Sequence, residues 1–261
     1  MTKKIAKWAL ILGGSSGLGL ATAQKLAKQG YNLCILHRDR RSDMNLIEDE
    51  FHKIKELGIQ VHTFNIDATN PIKIEEALSK ITTFLKESKI KVMIHSIAKG
   101  NLKPLLNENE DTLKPEDFQH TIHAMGISLY SWTQALLKKR MLAEDARIIA
   151  FTSEGSSKSW EGYAAVSAAK ATLESIVRSM ALEFAPLGVK VNGIQAGTTD
   201  TKAFQMIPNS SVLKEQAKAR NPFNRLTTPE DVANAVYLLT LDEAKWITGT
   251  ILKVDGGESL R

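Results

Sequence analysis

Residues 8–19 read Trp8-Ala9-Leu10-Ile11-Leu12-Gly13-Gly14-Ser15-Ser16-Gly17-Leu18-Gly19. Five apolar residues of strand length run into a glycine-rich loop. Behind it Leu18, Ala21 and Leu26 recur at helical spacing as far as Gln29. Glycine tolerates positive φ and lets a bulky anion approach the backbone. A helix start offers unpaired N–H groups and the positive end of a dipole. Strand, glycine loop and helix in that order make Gly13, Ser15, Ser16, Gly17, Leu18 and Gly19 a candidate cradle for the pyrophosphate of a dinucleotide.

Outward from this unit, strand-length apolar runs alternate with longer helical patterns. The strands are expected at Leu33–Leu36, Val61–Ile66, Val92–Ile97, Arg147–Thr152, Val189–Ile194 and Thr250–Val254. Helices are expected up to Leu57, from Pro71 to about Lys86, from Pro115 to Lys139, from Glu161 to Phe184 and from Pro229 to Leu239. The segment Asp67-Ala68-Thr69-Asn70 serves as a capping turn for the Pro71 helix. Such alternation predicts an α/β fold: one doubly wound, parallel, seven-stranded sheet of Rossmann type, helices on both faces, in a single domain over 1–261. Residues 198–222, irregular with short helices, read as a lid over a site rather than a second domain.

Composition narrows the classes. The 261 residues suffice for one large core, and 43% hydrophobic with 24% charged residues is ordinary for a globular chain. No apolar run approaches the roughly 20 residues that span a bilayer. The basic start, Met1 to Lys7, leads into a strand and loop, unlike a secretory signal. The lone Cys34 lies in an apolar run and has no internal partner, which fits a reducing cytoplasm. Net charge is +5, but the cations are scattered among acids, without a dense basic block or zinc spacing, so no nucleic-acid, membrane or metal role is expected.

Two further stretches carry chemistry. At the end of the second strand the chain reads Leu36-His37-Arg38-Asp39-Arg40-Arg41. An acid there would bind a ribose 2′-hydroxyl, whereas a cation welcomes a 2′-phosphate. With His37 in the acid's place and Arg38 beside it, NADPH is expected as cofactor, with NADH still possible. Farther on, Tyr163-Ala-Ala-Val-Ser-Ala-Ala-Lys170 sets a phenol and an ammonium seven residues apart on one expected helix, roughly 20° apart around the axis and about 10.5 Å along it. Half-buried ring and solvated cation is the bland alternative for such a pair.

The ordered set of these motifs resembles the short-chain dehydrogenase/reductase superfamily over essentially the whole chain. Leu12-Gly13-x-x-x-Gly17-x-Gly19 is similar to its Thr-Gly-x-x-x-Gly-x-Gly. Asp67 and Ala68 match its adenine-binding acidic turn. Ala196-Gly197 with Thr199 and Thr201 resembles its nicotinamide loop, and Val254-Asp255-Gly256-Gly257 its C-terminal signature. The departures resemble the enoyl-acyl-carrier-protein reductase branch, most of all its NADPH-using type III form. Tyr-x6-Lys replaces Tyr-x3-Lys, leaving Ser167 where the ordinary lysine falls. Counting thirteen positions back from the tyrosine puts Ala150 at the usual catalytic serine. His95-Ser96-Ile97-Ala98 replaces Asn-Ala-Gly, and His123 stands for the helix asparagine. Ser153 falls where type I enzymes carry a second tyrosine.

That resemblance implies reduction of the 2,3 double bond of an enoyl thioester on acyl-carrier protein or coenzyme A. Tyr163, Lys170 and Ser153 would be catalytic, and Lys170 with Ser96, Ile97 and Ala98 would hold the cofactor. Gly100, Ser153, Tyr163, Phe204 and Met206 would meet substrate, although Phe204, Met206 and Ile207 read equally as core packing. It implies a homotetramer as well. Lys202, Lys214, Lys218 and Arg220 would face an acidic carrier or simply water; His95 and His123 read as structural histidines. A ketoreductase acting on a 3-oxoacyl thioester or other carbonyl remains open, with Ser153 or Thr152 as the needed hydroxyl. A non-catalytic NADPH sensor remains open too.

Overall fold

The computed structural model describes residues 6–106, 108 and 111–261; the basic residues Met1–Ile5 lie outside them. One sheet runs through the molecule. Its strands are β1 (Trp8–Leu12), β2 (Asn32–His37), β3 (Val61–Asn65), β4 (Ile90–His95), β5 (Leu142–Ser153), β6 (Lys190–Ala196) and β7 (Ile251–Val254). Every pairing is parallel and the spatial order is β3-β2-β1-β4-β5-β6-β7. The order reverses between β1 and β4, which places a ligand crevice at the carboxyl ends of those two strands.

The helices are α1 (Gly17–Lys28), α2 (Met44–Lys55), α3 (Pro71–Leu85), α4 (Pro115–Ile122), α5 (Ser128–Lys138), α6 (Ala164–Glu183), α7 (Lys202–Gln205), α8 (Ser210–Arg220) and α9 (Pro229–Thr240). Period-two alternation along the strands splits the core in two. Leu10, Leu12, Met93 and Ile148 face α3, α5 and α6, packing on Leu78, Trp132 and Leu173. Ala9, Ile11, Ile94 and Ile149 face α1, α2 and α9, packing on Leu26, Phe51 and Val236. Asn70 caps α3, its side-chain oxygen accepting from Ile72 N–H at 3.0 Å and Lys73 N–H at 3.2 Å. Among the described residues no helix is long and apolar enough to cross a membrane.

Most strand ends shift by one or two residues from the sequence expectation, β5 begins five residues early at Leu142, and three further differences bear on the site. β4 ends at His95, two residues early: Ser96 N–H still donates to Leu12 O at 2.8 Å, but β1 itself ends at Leu12 and the chain then leaves the ladder. The expected Pro115–Lys139 helix is interrupted by a π-turn at His123–Ile127, where Gly126 lies against the Ala169 carbonyl and Thr172 of α6. The helix after β5 starts at Ala164, not Glu161. Tyr163 is its N-cap at φ −111°, ψ 2°, and its N–H closes a turn onto Trp160 O at 3.2 Å.

Candidate active site

The glycine loop leaves β1 at the sheet's crevice. Gly13 has φ +84°, and a Cβ there would strike the Ser96 carbonyl; a Cβ at Gly19 would strike Gly13 O. Side chains are therefore excluded where the loop, the start of α1 and the end of β4 converge. Ser16 caps α1 without a side-chain hydrogen bond, and no acid occupies the first turn. The first-turn N–H groups thus stay free for an anion. On these observations the loop fits the pyrophosphate of a nicotinamide dinucleotide.

The ends of β2 and β3 lie beside this loop, where the adenosine of a dinucleotide would fall. His37 is buried, its ring edge-on to Phe51 at 5.4 Å and its Nδ1 2.8 Å from Asp39 Oδ2. Its side chain is thus committed inward, and His37 is not among the residues lining the cavity. The Arg38 side chain is 60% exposed and pairs with Asp67 at 3.1 Å; Lys99 reaches the same carboxylate at 3.3 Å. Burial works to raise the Asp67 pKa, but hydrogen bonds from Thr69 and the Lys99 cation bring it down to about 2. Ala68 offers its carbonyl to Trp132 Nε1 at 2.8 Å, which pins the turn to α5.

Across the crevice, Tyr163, Lys170 and Ser153 line one cavity of about 830 Å³. Lys170 is buried on α6 and donates to the Phe151 carbonyl at 2.7 Å. Burial lowers its pKa to about 8, against the pull of Glu174 one turn on. Glu174 is itself held by Thr152 Oγ1 at 2.7 Å. Burial raises the Tyr163 pKa, and the neighbouring Ser153 hydroxyl partly offsets the rise. The two hydroxyls do not form a well-aligned hydrogen bond, and Ser153 Oγ is a buried polar atom without a partner. Ala150 lies fully buried inside β5, opposite His95 and Gly193. The thirteen-residue count therefore points into the sheet, and the hydroxyl that reaches the phenol is Ser153. Ser167 donates to the Gly155 carbonyl instead of taking a lysine's part.

The cavity also gathers Leu18, Ala98, Gly100, Gly197, Thr199 and Thr201 of the expected site, together with Phe204, Met206 and Ile207. Met206 is 73% exposed, so it is not core packing. Thr201 caps α7, its Oγ1 accepting from Phe204 N–H at 3.2 Å, and Thr199 Oγ1 donates to Gly197 O at 2.9 Å. Ser96 and Ile97 lie just behind, beside Gly13. His95 is buried under the site, with Nε2 2.7 Å from Ser128 Oγ. His123 is exposed on the π-turn, outside the cavity.

A family model described as enoyl-(acyl carrier protein) reductase matches residues 13–259. The chain belongs to the short-chain dehydrogenase/reductase superfamily. Among its relatives, 3-oxoacyl-[acyl-carrier-protein] reductase FabG of Escherichia coli (strain K12) is 30% identical, with 96% of each chain covered. Oxidoreductase UcpA of the same organism is 29% identical, covering 100% of this chain and 97% of that one. The solved enoyl-[acyl-carrier-protein] reductase (NADH) of Aquifex aeolicus VF5 superposes with a TM-score of 0.81 at 27% identity, covering 98% of this chain and 97% of that one. As a short-chain dehydrogenase/reductase, the chain is an oxidoreductase that uses a nicotinamide dinucleotide.

Sequence reading missed several residues on the wall of this oxidoreductase's cavity, and it assigned Arg220 to a carrier or to water where the structure pairs it with two acids. Trp160 meets the Tyr163 ring edge-on at 5.3 Å. A Cβ at Gly155 would fall 2.5 Å from Tyr163 Cε1 and 2.7 Å from the Trp160 ring, so Gly155 is what lets the phenol and indole pack there. Glu154, Arg220 and Glu258 also line the cavity and form one ion cluster. Trp160 and Gly155 precede Tyr163 within eight residues and could have been flagged; the cluster joins three distant segments and carries no local signal.

Proposed function

We propose that this chain reduces the 2,3 double bond of an enoyl thioester, with NADPH before NADH as reductant. The observation that carries the reading is the pairing of Tyr163 and Lys170, seven residues apart, on the wall of a large, mainly apolar cavity. In ketone reduction, hydride and proton go to the two ends of one carbonyl. In enoyl-thioester reduction, hydride goes to the β-carbon while charge develops on the thioester oxygen, farther away. Moving the phenol two helical turns from the ribose-binding lysine instead of one suits the longer reach.

When bound, the reduced nicotinamide supplies the hydride. Lys170 would hold the ribose hydroxyls, and Gly13, Gly17 and Gly19 would let the loop close on the pyrophosphate. Tyr163, kept neutral by its raised pKa, would donate a hydrogen bond to the thioester carbonyl and stabilise the enolate as charge appears there, and the α-carbon would then take a proton from solvent or a relay. Leu102, Met125, Val166, Phe204 and Ile207 would exclude water and hold the acyl chain under a lid of α7 and α8. Arg38, exposed and next to the adenosine site, supports NADPH.

The unpartnered Ser153 hydroxyl beside Tyr163 favours one second reading, reduction of a 3-oxoacyl thioester. NADPH consumption with crotonyl against acetoacetyl thioester separates the two. Faster oxidation is expected with the crotonyl compound, and a faster keto reaction overturns the enoyl reading. The thioester would be carried by acyl-carrier protein or coenzyme A. The chain would assemble as a homotetramer through helix faces such as that of α5 and α6, where Tyr130 and Leu182 are exposed. Sedimentation at the monomer's mass would refute that assembly.

A further inference from the structure

The helix α8 has little hydrophobic reason to stay where it is. Of its eleven residues only Ala217 is buried. Its last residue, Arg220, makes up the difference with charge. Arg220 Nη2 lies 3.0 Å from Glu154 Oε2 and 2.9 Å from Glu258 Oε1. Glu154 follows Ser153 at the end of β5 and also pairs with Lys158. Burial works to raise the Glu154 pKa, but hydrogen bonds from Lys158 and Arg220 leave it lowered, so the carboxylate stays charged. Asn221 then anchors the chain, its Nδ2 donating to Asp255 O at 2.8 Å.

Glu258 is the pivotal member. Its side chain is 4% exposed, and besides Arg220 it accepts from Thr198 N–H at 2.9 Å and Thr198 Oγ1 at 2.7 Å. Thr198 lies between Gly197 and Thr199, in the loop at the nicotinamide end of the crevice. A buried carboxylate that loses its cation is left uncompensated. Glu258 therefore favours one arrangement in which the 197–201 loop and the Arg220 end of α8 are both in place. A lysine in place of Arg220 would offer a point charge instead of a planar fork spanning two acids.

We infer that Arg220 is a positioning residue that couples the seating of α8 over the cavity to the position of the 197–201 loop, so that filling the nicotinamide site closes the lid. The inference rests on reading this cavity as the cofactor and substrate site, but its test needs no acyl substrate. Hydrogen exchange by mass spectrometry would follow the amides of residues 210–220 in the whole chain, with and without saturating NADPH, and with NADH in parallel. Sites coupled by an ordinary allosteric free energy influence each other at least about five-fold. The cofactor should slow exchange in α8 of the wild type by about that factor. Arg220→Met and, independently, Glu258→Gln should abolish the slowing while amides of β1 and β5 keep their wild-type protection. If one variant fails to fold, the other still reads out the coupling. Slowing that survives in a folded variant, or that is missing from a wild type shown by fluorescence to bind cofactor, overturns the inference. A wild type that binds neither NADPH nor NADH overturns this inference and the cofactor reading together. Preference for a keto substrate would leave it standing.

Discussion

Lys170 is a cation without full solvation, and its chemistry follows from that. Buried against the Phe151 carbonyl, it has a pKa of about 8, well below the usual lysine value of about 10.4. Burial disfavours the charged form, so the proton leaves as pH rises through about 8. Below that pH the ammonium can hold ribose hydroxyls and favour charge on a nearby substrate; above it the field is lost. The kcat/KM for the dinucleotide should therefore fall on the alkaline side with a midpoint near 8. A profile flat to pH 10 would show that the charge on Lys170 does not matter. The Tyr163–Lys170 pair was legible in sequence because both residues belong to one short local pattern. Ser153 entered only through the family resemblance, because counting thirteen positions back from the tyrosine reaches Ala150 instead. The structure puts Ala150 inside the sheet and Ser153 at the phenol.

Strand ends bring together the residues expected on the cofactor side of the site. β2 and β3 pair from Leu33↔Val61 to His37↔Asn65, so Arg38 and Asp67 leave adjacent strand ends and meet. Arg38 keeps most of its surface in water, and an incoming 2′-phosphate would compete with Asp67 for it. Charge-assisted hydrogen bonds are worth about 1.5–3 kcal/mol, so Arg38→Ala should raise the KM for NADPH about ten-fold or more while leaving that for NADH nearly unchanged. Equal effects on both cofactors would remove the basis for NADPH preference. The strands themselves were readable from alternating apolar runs, since period two is a local property. The π-turn at His123–Ile127 was not, because it answers to the approach of α6 about forty residues later, which no local periodicity encodes.

At the scale of the molecule, the parallel order explains both the fold's legibility and one liability. Alternation of strand and helix implied a doubly wound sheet, and the sheet found has seven parallel strands. It also buries His95 where a proton is unwelcome. Burial, aided by the Lys170 charge, lowers the His95 pKa to about 3. The unfolded chain takes up that proton near pH 6.5, the folded one only near 3. His95 thus contributes full stability above about pH 6.5 and loses it as pH falls, by up to about 1.4 kcal/mol per unit. Thermal unfolding between pH 7 and 4.5 should show this slope, and His95→Gln should flatten it; an unchanged slope would assign the acid loss to other groups. The four tryptophans are spread just as unevenly. Trp8 and Trp132 are sealed in the core, Trp246 is 95% exposed, and Trp160 alone stands on the cavity wall against Tyr163. Reduced nicotinamide absorbs where indole emits. Trp160 is thus a native energy-transfer donor placed at the crevice, and its emission would report occupancy of that crevice without any label.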